Sequence, residues 1–211
     1  MQMQGRSGLE IEIKLRVADV PVLIRRLAAL GASPEGRVFE RNTVYDTTDS
    51  FFKRTGRLLR LRTEVPVGSK TLRASRHSAR ATFKAPAPAD PRSRYKEKLE
   101  TELPVPNPER WARDLHTLGF RIGFQYEKYR TSFRLPGVYA CLDETPVGAF
   151  LELEGKPATI DRTARRLGYS DRDYIRGTYW DLYADDCARR GVLPRYLLFS
   201  RGKVRLKAVF A

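Results

Sequence analysis

Along residues 9–17 apolar and charged side chains alternate. Leu9, Ile11, Ile13, Leu15 and Val17 fall on one face of an extended chain, and Glu10, Glu12, Lys14 and Arg16 fall on the other, because successive side chains of a strand point to opposite sides. Alternation or short strand-like runs recur at 37–46, 57–64, 80–85, 94–103, 120–134, 138–144 and 148–155, separated by turn-forming residues. Helical spacing replaces it in four places. Asp19 is a plausible N-cap for a stripe of Val22, Leu23, Leu27 and Leu30 that stops at Gly31. Asn107-Pro108, a cap followed by proline at the first helical position, opens a second stripe of Trp111, Leu115 and Leu118 that stops at Gly119. Residues 159–167 and about 178–190 also read as helices. Eight strands joined mostly by turns too short for parallel crossovers predict an antiparallel sheet. Eight are enough to close a small barrel. The expected class is α+β: an antiparallel sheet with helices, an eight-stranded antiparallel β-barrel if all eight strands join it.

Composition narrows the partners. Among 211 residues, 40 Lys+Arg against 25 Asp+Glu give a formal charge of +15, which points to polyanions: phosphorylated small molecules, polyphosphate, nucleic acid or an anionic surface. A hydrophobic share of 41% supports a packed core and excludes disorder throughout. Cys141 and Cys187 lack the spacing of a disulfide framework or a structural zinc site and are expected to stay reduced. Residues 1–8 have no apolar segment of signal-peptide type, and no apolar run reaches membrane-spanning length. A cytoplasmic protein with no membrane partner is expected.

The chemistry lies on the polar faces of the strands. Glu10, Glu12 and Lys14 share one face. Arg60 and Arg62 share another, opposite Leu59 and Leu61. Lys98, Glu100 and Glu102 line a third, Lys128 and Arg130 a fourth, and Glu152 and Glu154 a fifth, with Lys84 and Asp143 on strands of their own. An ordinary solvated strand scatters polar residue types; here same-face pairs of like charge repeat. If these faces turn inward, with Lys98 left at the rim, the lumen holds six cations (Lys14, Arg60, Arg62, Lys84, Lys128, Arg130). It then holds seven anions (Glu10, Glu12, Glu100, Glu102, Asp143, Glu152, Glu154), a balance of −1. Buried charge persists when it is paired or used on a ligand or metal. Two divalent ions would make the lumen attractive to a triphosphate of roughly −4. Carboxylates and phosphate oxygens are hard ligands, which suits Mg²⁺ or Mn²⁺.

These residues carry a resemblance. Glu10-Ile11-Glu12-Ile13-Lys14 resembles the Glu-x-Glu-x-Lys signature of the CYTH, or triphosphate tunnel, superfamily, which includes class IV adenylyl cyclases, thiamine triphosphatases and inorganic triphosphatases. Leu59-Arg60-Leu61-Arg62, Thr82-Phe83-Lys84, Glu100-Thr101-Glu102, Lys128-Tyr129-Arg130, Leu142-Asp143 and Phe150-Leu151-Glu152-Leu153-Glu154 are similar to its later strands, in order. The segment from Gly177 to Tyr183 resembles the end of many bacterial members. Two departures are Lys98 where the family often has arginine, and Ala85-Pro86 for Gly-Pro. The resemblance implies one CYTH domain over residues 9–193 with tails at 1–8 and 194–211. It implies triphosphate binding by Arg60, Arg62, Lys84, Lys128 and Arg130, and metal binding by Glu10, Glu12, Asp143, Glu152 and Glu154. Lys14, Glu100 and Glu102 are then the candidate catalytic residues.

The expected activity is metal-dependent hydrolysis of a small triphosphate such as tripolyphosphate, ATP or thiamine triphosphate. The alternatives are an adenylyl cyclase making cyclic AMP and pyrophosphate, and a non-catalytic polyanion- or RNA-binding module, nucleic acid being the less favoured partner. Gly68-Ser69-Lys70-Thr71 fails the P-loop pattern, which needs lysine directly after glycine. His77 and His116 have no partner at metal spacing. The basic run of Lys70, Arg73, Arg76, His77 and Arg80 could form a lid over phosphates. The stretch from Arg195 to Lys207 adds a basic tail. The spacing leaves the oligomeric state open.

Overall fold

The computed structural model describes residues 6–68, 78–88, 90 and 92–200. Eight strands, β1 (Arg6–Val17), β2 (Ser33–Asp46), β3 (Leu58–Pro66), β4 (Ser78–Pro86), β5 (Lys96–Pro104), β6 (Arg121–Leu135), β7 (Val138–Thr145) and β8 (Gly148–Gly155), close a barrel in the order β1-β5-β4-β3-β2-β6-β7-β8. Every neighbouring pair, including β1 with β8, is antiparallel. Helices α1 (Val20–Ala29), α2 (Phe51–Arg54), α3 (Pro108–Thr117), α4 (Pro157–Arg166) and α5 (Tyr179–Arg189) accompany them. The antiparallel barrel with outer helices is therefore the architecture found. Local chemistry explains its corners. Asp19 accepts the Val22 amide at 2.8 Å and Asn107 that of Arg110 at 2.8 Å, so each cap satisfies an amide the first helical turn leaves free. Pro136 and Gly137 turn β6 into β7, with Gly137 at φ 74, a conformation that favours glycine.

The apolar faces of the strands look outward. Ile13, Leu15, Phe133, Leu142, Leu151 and Leu153 meet Leu23 and Leu27 of α1 and Ile160 and Ala164 of α4 in the main core. Leu61 and Ala81 are covered by Trp111 and Leu115 of α3. A third cluster, Phe124, Tyr126, Phe150, Tyr179 and Leu197, fills one end of the barrel. That cluster includes a residue of the stretch read as a tail from 194. Leu197 is buried, its carbonyl accepts the Glu127 amide at 2.9 Å, and the Phe199 amide donates to Glu127 Oε2 at 3.1 Å. The short helix α2 carries no stripe long enough to be read from sequence. Lys70, Arg73, Arg76 and His77 of the lid reading, and the basic stretch from Arg201 onward, lie outside the described residues.

Candidate functional site

The charged strand faces point inward and line a cavity of about 1460 Å³. Around the ring, β8, β1 and β5 are consecutive and carry Glu152, Glu154, Glu10, Glu12, Glu100 and Glu102. The opposite arc, β3, β2 and β6, carries Arg60, Arg62, Lys128 and Arg130. The lumen is thus polarised, with an acidic wall facing a basic one. Lys84 on β4 and Asp143 on β7 stand between the two arcs. All the residues singled out above line this cavity except Asp143, which is fully buried behind Lys128 and Arg130.

Two carboxylates hold the basic wall in place. Asp143 accepts from Lys128 at 2.8 Å, from Arg130 through both oxygens at 2.7 and 2.6 Å, and from the Tyr179 hydroxyl at 2.7 Å. Glu40, also fully buried, lies 3.5 Å from Lys128, 3.6 Å from Arg62 and 3.6 Å from Arg130. Burial disfavours a charged Glu40, but Arg62, Lys128, Arg130 and Arg60 outweigh it and keep its carboxyl below the ordinary range. Burial and Arg130 likewise oppose the charge of Lys128; Asp143, Glu40 and Glu152 overcome them and hold its pKa above the usual value. Arg60 donates to Tyr126 Oη at 3.1 Å and to Thr82 Oγ1 at 3.1 Å. Tyr179 enters the lumen from the first turn of α5, its ring 4.7 Å from Lys14 Nζ and 5.1 Å from Lys128 Nζ. Burial, with Asp143 and Glu152 close by, pushes its phenol well up, so it remains a donor.

The acidic wall is tied down less completely. Lys84 bridges Glu10 and Glu100, the latter at 2.5 Å, Lys96 meets Glu12 at 2.5 Å, and Lys14 meets Glu152 at 2.8 Å. Burial raises the pKa of Glu12, but Lys96, Lys14 and Lys84 prevail and bring it to about 2. Glu10 goes the other way: burial and the neighbouring Glu12 push it up despite Lys84. Glu154, at the mouth, makes no hydrogen bond or ion pair to a described residue. Its atoms border the open lumen, yet burial of the carboxyl together with Glu10, Glu100 and Glu12 raises it to about 7. Glu100 Oε2 is buried, with Lys84 Nζ at 2.5 Å as its ion-pair partner. Glu102 accepts from Thr82 at 3.0 Å and faces Arg60 and Arg80.

Among the described residues no three His, Cys, Asp or Glu side chains gather as one coordination sphere in this conformation. The reason is visible in the ion pairs, since lysines occupy the carboxylates. The donor set still suits a hard divalent cation. Glu10, Glu12, Glu100 and Glu154 crowd one region, two of them with raised pKa values. Glu40, Asn42 and Lys96 were missed from sequence, and Tyr179 entered only within the Gly177–Tyr183 segment, with no role in the lumen. Lys96 repeats the Lys98 parity and could have been found by extending that face by one step. Lys96 adds one cation to the lumen and Glu40 one anion. Lys98 sits at the rim, donating to the Gly56 carbonyl at 3.0 Å.

The CYTH domain model matches residues 8–179. The chain belongs to the CYTH domain family. A Methanocaldococcus jannaschii protein named as a putative adenylate cyclase is 24% identical over 185 residues, covering 82% of this CYTH chain and 98% of the relative. Among solved structures, a putative adenylate cyclase from Vibrio parahaemolyticus aligns at a TM-score of 0.69 and 16% identity, over 84% of this chain and 98% of that one. An adenylyl cyclase homologue from Hippeastrum, described as having a dominant triphosphatase activity, aligns at a TM-score of 0.54 and 17% identity, over 88% and 97%. The CYTH barrel described above is the fold these structures share. No helix among the described residues is long and apolar enough to cross a membrane.

Proposed function

We propose that this CYTH barrel is a divalent-metal-dependent triphosphatase. The observation that carries the reading is the polarised lumen. A basic arc faces an acidic arc across one cavity, and a triphosphate bridged by divalent cations is a ligand that satisfies both at once. Arg60, Arg62, Lys128 and Arg130 bind the phosphate oxygens. Arginine forks and lysine point charges suit these oxygens; Glu40 and Asp143 hold Arg62, Lys128 and Arg130 in place before the ligand arrives, and Tyr126 and Thr82 hold Arg60. Preorganised donors of this kind stabilise charge as it develops without reorganising. Glu10, Glu12, Glu100 and Glu154, with Glu152 behind Lys14, would hold Mg²⁺ or Mn²⁺. When bound, such an ion neutralises developing phosphate charge and orients water.

The remaining steps belong to the chain. Lys84 and Lys96, now on carboxylates, exchange onto phosphate oxygens as the ligand enters. Lys14, buried against Glu152 and the Tyr179 ring, supplies fixed positive charge at the closed end. Glu100 and Glu102 orient the attacking water and the neighbouring cations. A second reading, cyclisation of ATP, is supported by the naming of the archaeal and Vibrio relatives. The test that separates them is incubation with ATP and, separately, tripolyphosphate in the presence of Mg²⁺ or Mn²⁺, with products followed by phosphorus NMR. Orthophosphate release supports hydrolysis, cyclic AMP with pyrophosphate supports cyclisation, and unchanged substrates in every mixture would overturn both.

A further inference from the structure

Three buried hydroxyls stand among the cations of the basic wall: Thr82, Tyr126 and Tyr179. Each has one hydrogen to give, and two of the three are spent inside the protein. Thr82 donates to Glu102 at 3.0 Å, and Tyr179 donates to Asp143 at 2.7 Å. Tyr126 differs. Its oxygen accepts from Arg60 Nη1 at 3.1 Å, and its own hydrogen reaches no acceptor among the described residues. A buried donor left without an acceptor costs free energy that a suitable ligand recovers.

The surroundings say what that ligand must bring. Tyr126 lies opposite Asn42 of β2 in the register. Asn42 has its groups engaged, Oδ1 accepting from Arg62 at 3.2 Å and Nδ2 donating to Glu40 at 3.3 Å. Arg60, Lys128 and Arg62, the cations acting on the phenol, can only donate. Burial disfavours the phenolate, but these three outweigh it and lower the pKa below its ordinary value, which makes the hydroxyl a stronger donor. Packing fixes the ring, which stacks on Phe124 at 5.6 Å and lies 5.7 Å from the ring of Tyr179, while the residue lines the cavity. The missing acceptor is therefore an anionic oxygen in the lumen. We infer that Tyr126 is a further catalytic residue, whose O–H donates to a non-bridging oxygen of the bound triphosphate beside the contacts made by Arg60 and Lys128. This role presupposes that the lumen takes a triphosphate. Tyr126 transfers no proton; it adds to the charges of the wall a directed donor that is in place before the ligand arrives.

Titration calorimetry of the full chain with the β,γ-imido analogue of ATP at fixed Mn²⁺ tests this without turnover. Tyr126→Phe keeps the ring and its packing, so circular dichroism should be unchanged. Affinity should fall on the order of 10- to 100-fold, the worth of one hydrogen bond to a charged group. A tyrosine that served only to hold Arg60 would have nothing left to lose once Arg60 is gone. In an Arg60→Ala background Tyr126→Phe should therefore still weaken binding by about tenfold. Arg60→Met, closer in volume, serves as the background if Arg60→Ala does not fold. Tyr126→Phe binding as tightly as the wild type, or a loss that vanishes in the Arg60 background, overturns the inference and leaves the triphosphatase reading standing. A wild type that does not bind the analogue overturns both.

Discussion

The hydroxyl of Tyr179, on the first turn of α5, donates at 2.7 Å to Asp143, on β7 within the barrel wall. Asp143 thereby joins the closing helix to Lys128 and Arg130, which it also binds. The consequences of cutting the two ends differ. Asp143→Asn leaves two buried cations under-compensated and should lower stability by about 3–5 kcal/mol, the usual cost of removing one partner of a buried ion pair. Tyr179→Phe loses one hydrogen bond to a charged group and should cost about 1.5–3 kcal/mol. Urea unfolding of the two variants measures this; a Tyr179→Phe loss larger than that of Asp143→Asn would contradict the assignment of Asp143 as the anchor.

The acidic wall sets a pH dependence whose sign can be worked out. Burial and the carboxylates Glu10, Glu100 and Glu12 raise Glu154 from 4.5 to about 7, and Glu10 moves in the same direction. A group with a raised pKa in the folded state contributes stability that is fully present below its unfolded value and is lost as pH rises through the folded one. Without divalent metal, the melting temperature should therefore fall between about pH 4.5 and about pH 7. Below this window the sign reverses. Glu12, lowered from 4.5 to about 2 chiefly by Lys96 against the effect of burial, loses its contribution as pH falls. Glu154→Gln should flatten the upper arm, and Mg²⁺ or Mn²⁺ should stabilise more at the alkaline end, where it no longer competes with protons. A metal-free melting temperature that rises with pH across the window would refute this.

How far the site could be read in advance depended on contrast between strand faces. In β1, Glu10, Glu12 and Lys14 alternate with Ile11, Ile13 and Leu15, and the inward face is plain. In β2 the inward Val38, Glu40, Asn42 and Val44 are as mixed as the outward Phe39, Arg41 and Thr43, so neither face stands out and the buried Glu40 escaped notice. Tyr179 was out of reach for another reason. It opens a helix, and helical periodicity says nothing about a first residue entering a barrel built from strands more than 100 positions earlier as well as from nearby ones. The closed order of the ring, which separates acidic from basic arcs, is likewise a property of pairing between distant strands.

Arg62 offers a direct measure of the basic wall. Its Nε donates to Asn42 Oδ1 at 3.2 Å, and Glu40 and Glu64 each lie 3.6 Å from the guanidinium. Removing it leaves Glu40 still facing Lys128 and Arg130, so Arg62→Ala should fold. It should lose about 2–4 kcal/mol of transition-state stabilisation in a water-excluded site. Titration calorimetry with tripolyphosphate and steady-state kinetics measure binding and turnover separately, and Arg62→Lys should recover part of each. Unaltered binding and turnover in Arg62→Ala would mean that this face does not grip the ligand.

The length of the phosphate chain should govern binding more than the group attached to it. The basic arc spans β3 to β6, with Arg60 and Arg62 separated from Lys128 and Arg130 by the width of β2, so a ligand must carry several phosphates to engage them all. Taking away the terminal phosphate removes about two negative charges and several charge-assisted hydrogen bonds, each worth roughly 1.5–3 kcal/mol. Tripolyphosphate should therefore compete with ATP at similar or lower concentration, whereas ADP and pyrophosphate should compete poorly. A competition series at fixed Mn²⁺ with tripolyphosphate, ATP, GTP, ADP and pyrophosphate reads this directly. Similar inhibition by ATP and GTP would agree with a lumen that recognises phosphate. A strict preference for ATP would instead favour cyclisation, which has to place the ribose hydroxyl as well. ADP binding as tightly as ATP would show that the arc does not count phosphates, and the triphosphate reading of the two walls would fail with it.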